Sequence, residues 1–351
     1  MGHGPAEQAL LNAAQGRRPP HAWLFTGPRG IGKATLAYRF ARYLLRTGGA
    51  KSEGAAAPSA HSAAGLAVSP DHPVARQVAA ASHPDLFVLE RGIREDGRPR
   101  RDIDVDSVRQ LSSFLHMTAA DGGWRVAIVD AADELNRNAA NALLKLLEEP
   151  PAQTVLLLIS HAPGRLLPTI TSRCRRLRLM PLREEVVADL LQQHLKDAET
   201  DQIDILVQLS EGSFGRALSF AEEGGVELYR KLLELFSELP EVGTARLHAF
   251  ADSVAQDGSG GRLRATAEVM LWWLARMLRA GAQRRPPVDV IEGEGAVMQR
   301  LLDGHPLAEW MALWENLGRL FDQAERASLD RKQVMLTAFS RLAAPGSIGR
   351  T

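Results

Sequence analysis

Cysteine is nearly missing from this chain of 351 residues. Cys174 stands alone, so neither an intrachain disulfide nor a cysteine-rich zinc site can be built. A solitary thiol suits a reducing setting, and a cytoplasmic location is expected. Long apolar runs are missing too. The longest lies around Leu156 and falls short of the ~18 residues a membrane span needs; it suits a buried strand. Excess charge of either sign is lacking: 42 Lys+Arg balance 42 Asp+Glu. Without a global basic field the chain does not coat nucleic acid by charge alone, and any contact with DNA must be local or shared with partners. The start, Met1-Gly2-His3-Gly4-Pro5, has no basic segment followed by an apolar one, so no secretory signal is expected.

What is present is an ordinary soluble composition, 45% hydrophobic and 24% charged, in a chain long enough for two or three domains. Residues 6–17 read as a short helix, followed by a break at Arg17-Arg18-Pro19-Pro20. Ala22-Trp23-Leu24-Phe25 reads as a strand that ends at a glycine loop, and a helix follows from about Lys33 to Leu45. Residues 47–82 are rich in Gly, Ala and Ser with three prolines, and are expected to be a flexible insertion with little regular structure. Further strands are expected at Asp85 to Leu89, Val126 to Val129, Thr154 to Ser160 and Arg176 to Leu179, with a helix from Asp104 to Met117 and another carrying the stripe Ala139, Leu143, Leu146 and Leu147 up to Pro150-Pro151. Strands alternating with helices imply a doubly wound α/β layer. After Pro181 only helical patterns remain, with domain boundaries expected near 181 and 226.

The segment from Gly27 to Thr35, Gly-Pro-Arg-Gly-Ile-Gly-Lys-Ala-Thr, fits G-x-x-x-x-G-K between a strand and a helix, the context that makes the motif credible. Gly27, Gly30 and Gly32 let backbone N–H groups turn inward around a phosphate, the helix start adds partial positive charge, and Lys33 supplies a cation. The next position should carry a hydroxyl for Mg²⁺; here it is Ala34. Thr35 comes one residue late, which on a helix turns its hydroxyl about 100° away. ATP or ADP held weakly, without hydrolysis and without a well-held Mg²⁺, is one expectation; a glycine turn of purely structural value is the other. Asp130 stands at a strand end, where an aspartate orients Mg²⁺. Ala131 follows it where a motor of this type places the glutamate that activates water. Asp133 and Glu134 come later and read as the opening of the next helix, where carboxylates are favoured anyway. Asp130 is thus a relic or a weak metal partner.

Further on, Asn141-Ala-Leu-Leu-Lys-Leu-Leu-Glu-Glu-Pro-Pro151 and Ser172-Arg173-Cys174 follow in order behind the glycine loop. These segments, with His21-Ala-Trp-Leu-Phe25 and Gly212-Ser-Phe-Gly-Arg-Ala-Leu218, resemble the signatures of the clamp-loader AAA+ subunits of bacterial DNA polymerase III. The likeness covers roughly residues 20–220. It implies an α/β plus all-α chain: a RecA-like P-loop domain over 1–181, a small helical lid over 182–225 and a helical collar over 226–351. It also implies a place in a ring of subunits, with the gamma/tau and delta subunits as partners, and the sliding clamp and primer–template DNA reached through the complex. By the Ser-Arg-Cys match, Arg173 is the arginine finger offered in trans to a neighbour's ATP; the plainer reading puts it in a solvated basic strand with Arg175, Arg176 and Arg178. Ala34, Ala131 and Gly215, where the hydrolysing members carry a hydroxyl residue, a glutamate and a sensor arginine, point to the non-hydrolysing branch. The competing reading is a gamma/tau-type motor that uses Thr35 for Mg²⁺ and Asp133 or Glu134 as base. Many relatives carry a four-cysteine zinc module after the first helix of the loop domain. Here residues 47–82 stand in its place, so no zinc is expected, and His61, His72 and His83 read as surface or capping residues. The tryptophans of the last third read as core or subunit-interface packing.

Overall fold

The computed structural model describes residues 2–16, 20–48, 65–93, 100–120, 122–257, 260–327 and 329–346. The chain divides into two compact units, 1–186 and 187–351.

The first unit is built on a parallel sheet in the order β2-β3-β4-β1-β5, formed by β1 (Ala22–Thr26), β2 (Leu86–Glu90), β3 (Arg125–Asp130), β4 (Thr154–Ser160) and β5 (Arg175–Arg178). The helices are α1 (Gly4–Ala14), α2 (Lys33–Gly48), α3 (Pro73–Ala79), α4 (Val105–His116), α5 (Arg137–Glu148) and α6 (Pro168–Arg173). Successive strand side chains point to opposite faces, and they sort into two cores. Trp23, Phe25, Val126, Ile128, Val155, Leu157 and Ile159 pack with residues of α1 and α2. Ala22, Leu24, Ala127, Val129, Leu156 and Leu158 pack with residues of α4, α5 and α6. A sheet covered on both sides needs apolar residues at every strand position, which is why β4 is buried throughout.

Residues 47–82 depart from the expectation of little regular structure. Helix α2 runs on to Gly48, and α3 lies inside the stretch. Pro73 occupies the first turn of α3, where its missing N–H costs nothing, and His72 caps it, its Nδ1 accepting from the Val74 N–H. Residues 49–64, with His61, lie outside the described residues. His83 is buried rather than superficial, and its Nδ1 accepts from the Asp85 N–H at 3.1 Å, closing the turn into β2. Asp133 and Glu134 fall in a short 3-10 turn ahead of α5, whose start is capped by Asn136 accepting from the Ala139 N–H.

The second unit contains, among the described residues, helices and no strand. These are α7 (Glu184–His194, which begins just before the division), α8 (Thr200–Ser210), α9 (Phe214–Glu222), α10 (Gly225–Ser237), α11 (Thr244–Ala255), α12 (Gly261–Gln283), α13 (Glu294–Gly304), α14 (Leu307–Ala327) and α15 (Arg331–Ala343). The Gly-Ser-Phe-Gly motif is a helix start: Ser213 Oγ accepts from the Arg216 N–H and caps α9. Trp273 and Trp310 are buried in the bundle, while Met311 and Trp314 remain partly outside it. Glu294, wholly buried, is held by the Tyr229 hydroxyl, the Arg276 guanidinium and the Val290 N–H. That pairing is what a buried carboxylate requires.

Candidate functional site

In a parallel α/β sheet, ligands gather at the carboxyl ends of the strands, and here the ends of β1 and β3 carry the predicted glycine loop and Asp130. Gly27, Gly30 and Gly32 all adopt positive φ. Gly27 has no room for a side chain, because a Cβ would lie 2.5 Å from the Leu179 carbonyl oxygen. Lys33 opens α2 and is buried, its ammonium donating to the carbonyls of Gly27, at 2.8 Å, and Pro28. Desolvation lowers its pKa to about 8, against the opposing pull of Asp130 and Asp133. Asp130 is displaced upward, first by burial and then by the nearby Glu134 charge. Ala34 is half-buried and Thr35 exposed.

Several contacts and some residues of this site were not foreseen. Glu134 is ion-paired to Arg29, at 3.3 Å, and to Arg91, at 2.8 Å. Asp133 accepts the backbone N–H of His161 at 2.9 Å. Ser160 and His161 close β4, where Ser160 is in register with Thr26 of β1. Their Oγ and Nδ1 atoms are buried without a hydrogen-bond partner, and burial beside Lys33 and Arg29 drives the His161 pKa to about 4. His3 Nε2–H donates to the Ile31 carbonyl at 2.7 Å, setting the amino-terminal segment against the loop. Position at a strand's carboxyl end was the available signal for His161; the other contacts arise only in three dimensions.

These residues fit the phosphates of a nucleotide better than they fit a metal. The loop is glycine-shaped, a lysine is at its base, and two orphaned polar atoms border it. Ala34 offers no oxygen, and the other carboxylates of the site already have partners, Asp133 the His161 N–H and Glu134 the Arg29 and Arg91 guanidinium groups. Gly27, Gly30, Gly32 and Lys33 would hold the phosphates of ATP or ADP. Among the described residues no cluster of three His, Cys, Asp or Glu side chains stands ready for a metal ion.

Arg173 lies apart from these groups, at the end of α6 rather than in a strand; β5 begins at Arg175. Its exposed guanidinium pairs with Glu148, the last residue of α5, at 2.7 Å, and donates to the Thr169 carbonyl at 3.1 Å. Its neighbour Cys174 is buried among apolar side chains, which pushes the thiol up to about 12; it anchors the chain and is chemically inert. Arg175 lies over the Trp23 ring. A cavity of about 760 Å³, lined among others by Gly27, His161, Thr171, Arg176 and Arg178, runs between the loop and α6. Arg216, next to Gly215, pairs with Glu211 and Glu268 inside the second unit.

A parallel sheet with a glycine loop after β1, a lysine opening the next helix and an aspartate at the end of β3 defines a P-loop nucleotide-binding-type domain. Residues 2–183 match the family described as DNA polymerase III, delta subunit, and the chain belongs to that family. It is 42% identical over 211 residues to the DNA polymerase III subunit delta' of Pseudomonas aeruginosa, covering 60% of this chain and 58% of that one. Identity to the delta' subunit of Escherichia coli K12 is 34% over 217 residues, covering 61% and 58%. The tau subunit of Salmonella typhimurium LT2 is 29% identical over 223 residues, covering 61% of this chain and 31% of tau. The matched stretch thus spans 58% of the length of these two delta' relatives. The family expected from the motifs is the family found. No helix among the described residues is long and apolar enough to cross a membrane.

Proposed function

We propose that the chain serves as a largely non-hydrolysing delta-prime-type subunit of a DNA polymerase III clamp loader. In this role it lends Arg173 as an arginine finger to ATP held by a neighbouring gamma/tau-type subunit, while the complex, which includes delta, loads a sliding clamp onto primed DNA. The observation that carries the reading is a contrast in how charged groups are used. Asp133 and Glu134, the carboxylates a motor would need as base, are tied to His161 and to Arg29 and Arg91. Ala34 and Ala131 supply nothing in place of the missing hydroxyl and carboxylate. Arg173, although it pairs with Glu148, lies exposed at a helix end. A guanidinium offered across an interface stabilises the charge that develops on a transferring phosphoryl group.

The test is reconstitution with gamma/tau and delta partners. Arg173→Ala is expected to assemble normally and to lower DNA-stimulated ATP hydrolysis; an unchanged rate refutes the finger. The motor reading predicts steady ATP turnover by the isolated chain, lost in Lys33→Ala. The proposed reading expects none to begin with.

A further inference from the structure

We infer that Glu148 is a positioning residue for Arg173, holding the guanidinium from the protein side so that its remaining N–H donors face outward; this rests on the finger reading above. The two residues close consecutive helices, Glu148 ending α5 and Arg173 ending α6. Both helix ends are fixed. Ile170 and Cys174 anchor α6 in the core beneath it, and Leu146 and Leu147 anchor α5 in the same core. His21 Nε2–H donates to the Leu147 carbonyl at 3.1 Å, pinning the turn that carries Glu148. The guanidinium then meets two acceptors, Glu148 Oε1 on Nη2 and the Thr169 backbone carbonyl on Nη1. Of five N–H donors in a rigid fork, those left over are the ones a phosphate could take.

The other charges nearby do not fill this role. Arg175 is turned onto the Trp23 ring and does not compete for Glu148. No hydrogen bond or ion pair joins Glu149 to Arg173 among the described residues. A half-exposed ion pair stabilises a fold little, so its effect should show in the rate and not in the melting temperature. Arg173 by itself is a long chain of rotatable bonds. Fixing it before the neighbour's nucleotide arrives removes freedom that would otherwise be lost in the transition state.

The experiment uses the complete reconstituted complex, with DNA-stimulated ATP hydrolysis as readout. Glu148→Ala is expected to lower kcat about tenfold, short of the ~100-fold that a misplacement of 1 Å can cost, with KM for ATP and the melting temperature unmoved. Glu148→Gln keeps an acceptor oxygen in place and should recover more than half of the rate. It also carries the test should the alanine variant fail to assemble. Glu148→Ala/Arg173→Ala should be no slower than Arg173→Ala, as expected when one residue acts through the other. A Glu148→Ala rate at or above the wild-type rate overturns the inference, as do equal losses in the Ala and Gln variants or additive losses in the double variant. If Arg173→Ala slows hydrolysis and Glu148→Ala does not, the inference falls and the finger stands. If Arg173→Ala is silent, both fall.

Discussion

The glycine loop and the α5–α6 ends lie in the same unit and handle positive charge in opposite ways. At the loop, the motif lysine is turned inward. Lys33 is buried on its own loop carbonyls, while the exposed Arg29 shares Glu134 with Arg91. At the helix ends, Arg173 pairs with Glu148 and remains exposed. A buried cation bound to fixed acceptors contributes to local structure and answers only to a ligand that enters its cradle. An exposed and oriented cation is available to a surface that docks against it. On the function proposed above, the P-loop fold is kept as architecture while the chemistry moves to its rim.

Two substitutions would break that contrast if it is wrong. The larger effect is expected at the rim. Arg173→Ala should reduce stimulated hydrolysis at the site it serves by about 10³, equivalent to ~4 kcal/mol of transition-state stabilisation, while the chain's own urea midpoint stays where it was. Gly27→Ala should do the reverse. Its φ of +149° and the Leu179 carbonyl 2.5 Å from the new Cβ should cost the fold about 3 kcal/mol, read as a drop in that same midpoint. A Gly27→Ala chain of unchanged stability would show that the loop is not the rigid part the contrast requires.

Much of this was legible beforehand because the sheet is covered on both faces. Strands such as Thr154–Ser160 then read as unbroken apolar runs between turn residues, and each face finds its own core. Lys33 and the glycines were legible because one stretch of chain contains the whole motif. Helix α3 escaped notice: seven residues inside a Gly, Ala and Ser-rich stretch give little periodicity, although Pro73 after a residue that can cap was its signature. The pairs Glu148–Arg173 and Arg29–Glu134–Arg91 were illegible for a different reason. Their members are far apart in sequence, and only the packing of α5 on α6, or of one strand end beside another, brings them together. The resemblance named Arg173 but could not say what holds it.

A smaller effect tests whether Lys33 is as desolvated as its position implies. With a folded pKa near 8 and an ordinary value of 10.5, the folded chain sheds this proton first as pH rises. Between those values the unfolded state binds more protons, so stability should rise with pH through this window. From pH 8 to pH 9.5 the gain is between about 1 and 2 kcal/mol, below the limiting 1.36 kcal/mol per pH unit because the folded lysine is still half protonated at pH 8. Other groups titrate in the same range, so the quantity to measure is the difference between wild type and Lys33→Met in urea unfolding at the two pH values. Parallel curves would mean that the ammonium is solvated and that the loop is open in solution.

The smallest effect bears on what the loop has lost. Ala34 is the second residue of α2, where a Mg²⁺-ligating hydroxyl would stand, and Asp130 waits at the end of β3 with its pKa raised by burial and by Glu134. Ala34→Thr returns one oxygen at a helix-propensity cost of about 0.5 kcal/mol. If the loop cradles phosphates, ATP binding measured by calorimetry should strengthen about tenfold, ~1.4 kcal/mol, and only when Mg²⁺ is present. Hydrolysis should remain absent, because Ala131 still offers no base and Asp133 and Glu134 stay engaged. A gain that is equal with and without Mg²⁺ would place the new hydroxyl on the phosphates rather than on the metal. No binding in either chain would leave the glycine loop as a turn, and the contrast with Arg173 would become one between structure and function rather than between two ways of using charge.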